Sequence, residues 1–291
     1  MRGLLVGLLP VLSVSLFCLA AKLALRLYHL ASDGIPFTER SGSNVRKTSP
    51  YTIDGRVGWR ATENYHSRRQ LKTAKGEFYA VNVSQNEYGF RLFGDIKSNK
   101  IKVLTIGDSM THTTDVSDDK TYYAIMQDTL DVEMFAYGVG GVGTLQEFLA
   151  LDRYLDIIKP DIVLWQFCSN DLVNNSPELE TASKRNNNGM TRPYLVDGDI
   201  VYLLPKGRFA IFREFASRYS RFLAAIFHRV DKLQAANNNY SVEDDIVRDG
   251  FQHAGFLRAT RVTDTLMGKV RARTGNIPIL SFSCDGGAAR Q

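Results

Sequence analysis

Three short apolar runs, each followed at once by small and polar residues, constrain the fold of this chain more than any other feature. The runs occupy 101–106, 132–137 and 161–168. The first ends in Gly107-Asp108-Ser109, the second in the glycine-rich stretch 138–143, and the third in Ser169-Asn170-Asp171. Runs of this length and composition, closed by turn residues, predict buried β-strands.

Stretches with helical spacing lie between and after these runs, at 120–130, 145–158 and 256–274, and a fourth apolar run follows at 277–283. Strands that alternate with helices in this way are typical of a parallel sheet covered by helices on both faces. The sequence therefore predicts an α/β domain.

The residues that close the three runs are in the right place for chemistry, because open parallel sheets bind their ligands beyond the carboxyl ends of the strands. Each group also has a purely structural explanation. Ser109 could cap a helix, the glycine run could form a tight turn, and Asn170-Asp171 could form an Asx turn. The glycine run lacks the order of a dinucleotide or phosphate loop.

Taken together, VLTIGDSM, AYGVGGVGT and FCSNDL resemble the first three sequence blocks of SGNH/GDSL serine hydrolases. The resemblance is strong over 101–175 and weaker in the upstream segments GWRATENYHS and NEYGFR, which are similar to those of membrane-anchored members. It implies a three-layer α/β/α sheet of flavodoxin-like topology. It also implies that Ser109 is the nucleophile, and it implies no metal and no cofactor.

The resemblance further implies an oxyanion hole built from the Ser109 N–H, the Gly141 N–H and the Asn170 side-chain amide. These residue types suit that chemistry, because the first amides of a helix have no internal partner and a glycine lets the backbone approach a substrate. An asparagine amide is a neutral donor at every pH. Asp108 and Asp171 are interpreted as structural anchors of the turns.

One family block is missing from the chain, because none of its five histidines follows an aspartate by three residues. In the family, an aspartate and a histidine with this spacing activate the serine near the carboxyl terminus. Glu63 precedes His66 by three residues, but it lies before the first strand of the sheet. His112 could line the pocket, although a surface or packing role is favoured. We expect the chain to be truncated before the aspartate–histidine pair.

The amino terminus predicts a membrane anchor. Residues 3–21 are uncharged, and nineteen helical residues span about 28 Å, close to the thickness of a bilayer core. A cleaved signal peptide is the alternative. We therefore assign 1–30 to an anchor or signal segment and expect the rest of the chain outside the cytoplasm, in the periplasm or the extracellular space.

Residues 31–98 form a predicted linker or small β region, and 99–291 the hydrolase-like domain with an insertion at about 172–248. Within the insertion, Asp197-Gly198 predicts a hairpin over 192–204. An aromatic-rich helix is predicted over 208–236, and its aromatic stripe is interpreted as core or lid packing.

Composition limits the choice of function without naming a substrate. The net charge of +5 is modest and no basic stripe is interleaved with aromatic residues, so a nucleic-acid partner is not expected. The leading hypothesis is an esterase that acts on O-acyl groups of small molecules, carbohydrates or lipids. The alternatives are an O-acyltransferase on cell-envelope polysaccharide, and a catalytically dead carbohydrate-binding or scaffolding member of the family.

Overall fold

The computed structural model describes residues 49–205 and 240–283, together with isolated positions within 16–27 and 212–230. The anchor predicted at 1–30 and the helix predicted at 208–236 lie outside the described residues apart from those positions. In the part of the chain that is described, no helix combines the length and the apolarity needed to cross a membrane. The described residues 49–205 and 240–283 belong to one compact unit. The predicted domain boundaries remain predictions.

Eleven strands and seven α-helices are described. The strands are β1 Tyr51–Asp54, β2 Gly58–Ala61, β3 His66–Lys72, β4 Phe78–Ser84, β5 Leu92–Phe93, β6 Ile101–Gly107, β7 Val132–Gly138, β8 Ile162–Phe167, β9 Arg192–Val196, β10 Asp199–Leu203 and β11 Ile279–Ser283. The helices are α1 Ser109–His112, α2 Tyr122–Thr129, α3 Thr144–Ile158, α4 Ser169–Asn174, α5 Pro177–Ala182, α6 Val242–Asp249 and α7 Ala254–Thr274.

The central sheet has five strands in the order β11-β8-β6-β7-β5. β6, β7, β8 and β11 are parallel, and β5 pairs with β7 in the antiparallel direction. The four parallel strands, numbered along the chain, stand in the order 2-1-3-4, which is the order of doubly wound flavodoxin-like sheets. All four apolar runs of the sequence form these strands, so that prediction is confirmed.

Helices cover both faces of the sheet. Side chains of a strand point alternately to its two faces, and those of β6 pack against helices on each side. Leu104 and Ile106 of β6 belong to a large buried cluster that includes Leu151 of α3 and Val270 of α7. Val103 of the same strand belongs to a second cluster, with Tyr123 of α2. From Val103 onward β6 is therefore buried on both faces, as the mainly apolar run at 101–106 predicts.

Two β-hairpins lie outside the part of the chain in which strands and helices alternate, and they pack against this core. Trp59 and Ala61 of β2 are buried in the large cluster with the residues of the sheet, and the β1–β2 pair is antiparallel. The β9–β10 pair turns at Asp197 and Gly198, both of which have positive φ, at 50° and 92°. This hairpin is the one predicted from its Asp-Gly dipeptide.

Gly138, at the end of β7, offers a test of how closely the strand ends pack. A Cβ at this position would lie 2.6 Å from the carbonyl carbon of Thr111 and would also overlap the backbone nitrogen of His112. Because backbone atoms cannot move aside cheaply, we expect Gly138→Ala to lower the free energy of unfolding by about 1–3 kcal/mol in urea titrations.

The matched substitution is Gly268→Ala in α7, where a Cβ would meet nothing within 4 Å. Alanine should there raise the free energy of unfolding by about 0.5–1 kcal/mol, because it restricts the unfolded chain and favours helix. Equal effects of the two substitutions would contradict the packing described for β7 and α1.

Candidate active site

Ser109 stands at the carboxyl end of the central strand β6 and is the first residue of α1. The residue that caps this helix is Asp108, whose Oδ1 accepts a hydrogen bond of 2.9 Å from the backbone N–H of Met110. The alternative in which Ser109 itself is the cap is therefore wrong. Ser109 is exposed, so the turn presents its hydroxyl to solvent.

The buried carboxylate of Asp108 brings Ser109 and Asn170 together. Its Oδ2 accepts hydrogen bonds from Ser109 Oγ at 3.3 Å and from Asn170 Nδ2 at 3.4 Å. Asn170, at the start of α4, also donates to Asn174 Oδ1 at 3.2 Å. The predicted nucleophile and one predicted oxyanion donor thus lie on two neighbouring strand ends around one oxygen atom.

Gln166 fixes the turn between β6 and α1 from the neighbouring strand β8. Its Oε1 accepts hydrogen bonds from the backbone N–H of Asp108 at 3.1 Å and from the N–H and Oγ1 of Thr111 at 3.1 and 3.0 Å. Gly107 leaves room for this contact, since a Cβ there would lie 2.5 Å from Gln166 Oε1. Sequence reasoning missed Gln166. Its one signal is a polar side chain inside an apolar strand.

The glycine loop after β7 lies against the same turn. A Cβ on Gly140 would be 3.7 Å from the Cβ of Ser109, and Gly141 has a φ of +73°. Three side chains hold the two carbonyl groups of this loop. Trp59 Nε1 donates to the Gly140 oxygen at 3.0 Å, and the Gly141 oxygen accepts from Asn188 Nδ2 at 3.1 Å and from Arg192 Nη2 at 2.6 Å.

Arg192 reaches the loop from β9 and is fully buried. It pairs with Glu180 at 3.1 Å, and the side chains of both residues are 0% exposed. Tyr194 donates a hydrogen bond of 2.8 Å to the same carboxylate, and the Arg192 guanidinium lies 4.6 Å from the centre of the Trp59 ring. Burial lowers the pKa of Arg192, and the negative charge of Glu180 opposes that shift.

His112 lies one turn beyond Ser109, but its ring nitrogens contact other residues. The residue is 1% exposed. Its Nδ1 hydrogen-bonds with the Tyr51 hydroxyl at 3.1 Å, and its Nε2 contacts the side-chain amide of Gln85. Burial, with smaller contributions from Arg91 and Arg69, lowers the pKa of His112 to about 3. The ring is therefore neutral at neutral pH and is part of the packing, as the favoured interpretation predicted.

Glu147, in the first turns of α3, is a second buried ionisable group behind the loop. It lines a small cavity together with Gly107, Tyr137 and Trp59. Within the described part of the chain, neither of its carboxyl oxygens has a hydrogen-bond partner. Burial raises the pKa of Glu147 well above its usual value, and the carboxylates of Asp171 and Asp108 raise it further. Both effects favour the neutral acid form of Glu147.

The predicted site residues Ser109, Gly141 and Asn170 thus lie on three adjacent strand ends. Asp171 anchors its own turn as expected, since its Oδ2 accepts from the Cys168 N–H at 2.9 Å. Among the described residues, the hydrogen bond of the Ser109 hydroxyl goes to Asp108 and not to a histidine. His253 caps α7 through its Nδ1, which accepts from the Phe256 N–H at 3.1 Å.

Comparison with known proteins agrees with this arrangement. Residues 103–195 match the family model described as GDSL-like Lipase/Acylhydrolase. The matched segment contains the serine, the glycine loop and the asparagine, whereas Tyr51 and Trp59 precede it. A search of the curated proteins finds no match to this chain.

The buried state of His112 makes stability depend on pH. The unfolded chain takes up a proton on this residue below its ordinary pKa of 6.5, whereas the folded protein resists protonation down to about 3. The free energy of unfolding therefore decreases as the pH falls from about 6.5 towards 3. His112 contributes up to about 1.4 kcal/mol per pH unit to this decrease.

His112→Gln removes this titration, so the stability advantage of the wild type over the variant should shrink as the pH is lowered from 7 to 4. Urea titrations at several pH values measure the difference. The control is His66→Gln on β3, where the histidine is exposed. An unchanged difference between wild type and His112→Gln across this range would show that His112 is not buried in the neutral form.

Proposed function

We propose that this chain, whose residues 103–195 match the GDSL-like lipase/acylhydrolase family model, cleaves carboxylic esters through an acyl-enzyme formed on Ser109. The observation that carries the proposal is the shared hydrogen bonding of Ser109 Oγ and Asn170 Nδ2 to Asp108 Oδ2. It holds a nucleophile and a neutral donor side by side at the end of a parallel sheet, where such sheets bind ligands.

The proposed reaction has two steps. In the first, Ser109 Oγ attacks the ester carbonyl carbon, its proton passes to a base, and the alcohol leaves after taking up a proton. In the second, water attacks the acyl-enzyme, and the carboxylic acid is released as Ser109 regains its proton. The carbonyl oxygen carries negative charge in both steps. Three donors would stabilise this charge, namely the N–H groups of Ser109 and Gly141 and the amide of Asn170.

Among the described residues no histidine hydrogen-bonds with Ser109 Oγ, whose partner is Asp108, and both ring nitrogens of His112 have other partners. The aspartate–histidine pair expected from the family resemblance therefore stays a prediction. We also propose that residues 1–30 anchor the protein in a membrane and that the rest of the chain lies outside the cytoplasm. We further propose an O-acyl group on a carbohydrate or lipid as the substrate. Transfer to a sugar hydroxyl would pass through the same acyl-enzyme.

The proposal predicts which side chain reacts with a fluorophosphonate probe. Labelling should occur on Ser109 and disappear in Ser109→Ala, because the probe forms its bond with the nucleophile. Asn170→Ala should still be labelled, at a rate lower by about 10²–10³, because one oxyanion donor is lost. Intact-mass measurements against time give both rates.

Ser67→Ala on β3 makes the same substitution outside the site and should label as the wild type does. Labelling that persists in Ser109→Ala would place the nucleophile on another residue and refute the proposed function.

A further inference from the structure

The direction of the Gly141 N–H is set by a residue far away in the sequence. The N–H of Gly141 and the C=O of Gly140 belong to one planar trans peptide, so they point in opposite directions. Trp59 Nε1 holds that carbonyl oxygen at 3.0 Å. The Gly141 N–H must therefore point away from Trp59, on a loop whose preceding glycine lies against Ser109.

The next peptide along the loop is held as well. The Gly141 carbonyl oxygen accepts hydrogen bonds from Arg192 Nη2 and Asn188 Nδ2, at 2.6 and 3.1 Å. With the peptides on both sides of its Cα held, Gly141 is fixed at a φ of +73°. This restraint matters, because glycine is the residue with the widest choice of backbone angles and positions 138, 140, 141 and 143 are all glycines.

The hydrogen bonds from Trp59, Arg192 and Asn188 to the Gly140 and Gly141 carbonyl oxygens are together called the clamp. Two of its donors, Trp59 and Arg192, are themselves held in place. Trp59 is 2% exposed, and the Arg192 guanidinium packs on its ring while pairing with buried Glu180. A hydrogen bond from a charged donor in a buried setting is stronger than one between neutral groups. Departure of Arg192 would leave the buried Glu180 carboxylate without its charge partner, and departure of Trp59 would remove a large side chain from the buried cluster.

We propose that Trp59, Arg192 and Asn188 are positioning residues that hold the Gly141 N–H in the orientation that stabilises the oxyanion. The inference rests on the proposed function of Ser109. It adds a contribution from β2, which precedes the family-matched segment 103–195. None of the three side chains needs to touch the reacting atoms, because each acts through the backbone of Gly140 or Gly141.

Trp59→Phe tests the clamp, since it removes the indole N–H and keeps an aromatic ring beside Arg192. Trp165→Phe is the matched control. Trp165 is also fully buried in the large cluster, and within the described part of the chain its Nε1 has no hydrogen-bond partner. Both variants remove the same atoms from the same core, so Trp165→Phe reports the effect of the smaller ring alone, and Trp59→Phe adds the loss of one hydrogen bond. Only Trp59→Phe also frees the Gly140 carbonyl group.

The readout is the hydrolysis of p-nitrophenyl acetate together with the rate of phosphonate labelling at Ser109. Loss of a whole oxyanion donor costs about 10²–10³ in rate, so a loosened donor should lower kcat and the labelling rate by about tenfold in Trp59→Phe. KM should stay within about twofold, because the donor acts mainly on the transition state. Trp165→Phe should keep kcat within about twofold of the wild type.

Asn188→Ala is the second variant, because Asn188 is exposed and its loss should not prevent folding. Its control is Asn187→Ala, since the Asn187 amide donates to the Pro205 carbonyl oxygen and not to the glycine loop. We expect Asn188→Ala to lower kcat by about threefold, less than Trp59→Phe does, because Arg192 still holds the Gly141 oxygen. Asn187→Ala should leave kcat unchanged.

The outcomes separate this inference from the proposed function. If hydrolysis and labelling of the wild type do not depend on Ser109, the proposed function fails and the positioning role fails with it. If they depend on Ser109 but each variant matches its control, the proposed function stands and the clamp is refuted. The same refutation follows if Trp59→Phe raises KM and leaves kcat unchanged.

Discussion

The candidate site depends on one buried carboxylate, that of Asp108. A buried negative charge is tolerated only when hydrogen-bond donors surround it, and here the donors are the Met110 N–H, the Ser109 hydroxyl and the Asn170 amide. The same bonds begin α1, orient the serine and connect β6 to the start of α4. The residue that the sequence marks as a turn anchor is therefore also the centre around which the proposed nucleophile and one donor are arranged.

Two other buried ionisable groups, Glu147 and His112, have pKa shifts that favour their neutral forms. Burial, aided by Asp171 and Asp108, raises the pKa of Glu147, and burial lowers that of His112 to about 3. The pKa values of the two groups shift in opposite directions, and both shifts favour the uncharged form. We infer that Asp108 and the backbone donors beside it contribute directly to the field at Ser109. Such fixed dipoles stabilise a developing oxyanion without rearrangement.

Local patterns predicted the sheet and the Asp-Gly hairpin, and the resemblance to SGNH/GDSL hydrolases pointed to the three residues proposed to carry the chemistry. Short, mainly apolar runs mark the strands of the sheet, and the glycine, serine and asparagine residues at their ends mark the site. The residues that hold the site were missed, because their role depends on contacts between distant parts of the chain. Trp59 lies 81 positions before the carbonyl group it binds, and Gln166 lies 55 positions after Thr111. The short strands β1 and β2 carry too few residues to show an alternating pattern.

The central claim is that Ser109, Gly141 and Asn170 act together on one oxygen atom. The most direct measurement is a crystal structure of the protein after reaction with a p-nitrophenyl phosphonate. The account predicts a phosphorus–oxygen bond to Ser109 Oγ, with the phosphoryl oxygen about 2.7–3.1 Å from the backbone nitrogens of Ser109 and Gly141 and from Asn170 Nδ2. An adduct on another residue, or a phosphoryl oxygen turned away from Gly141 and Asn170, would contradict it.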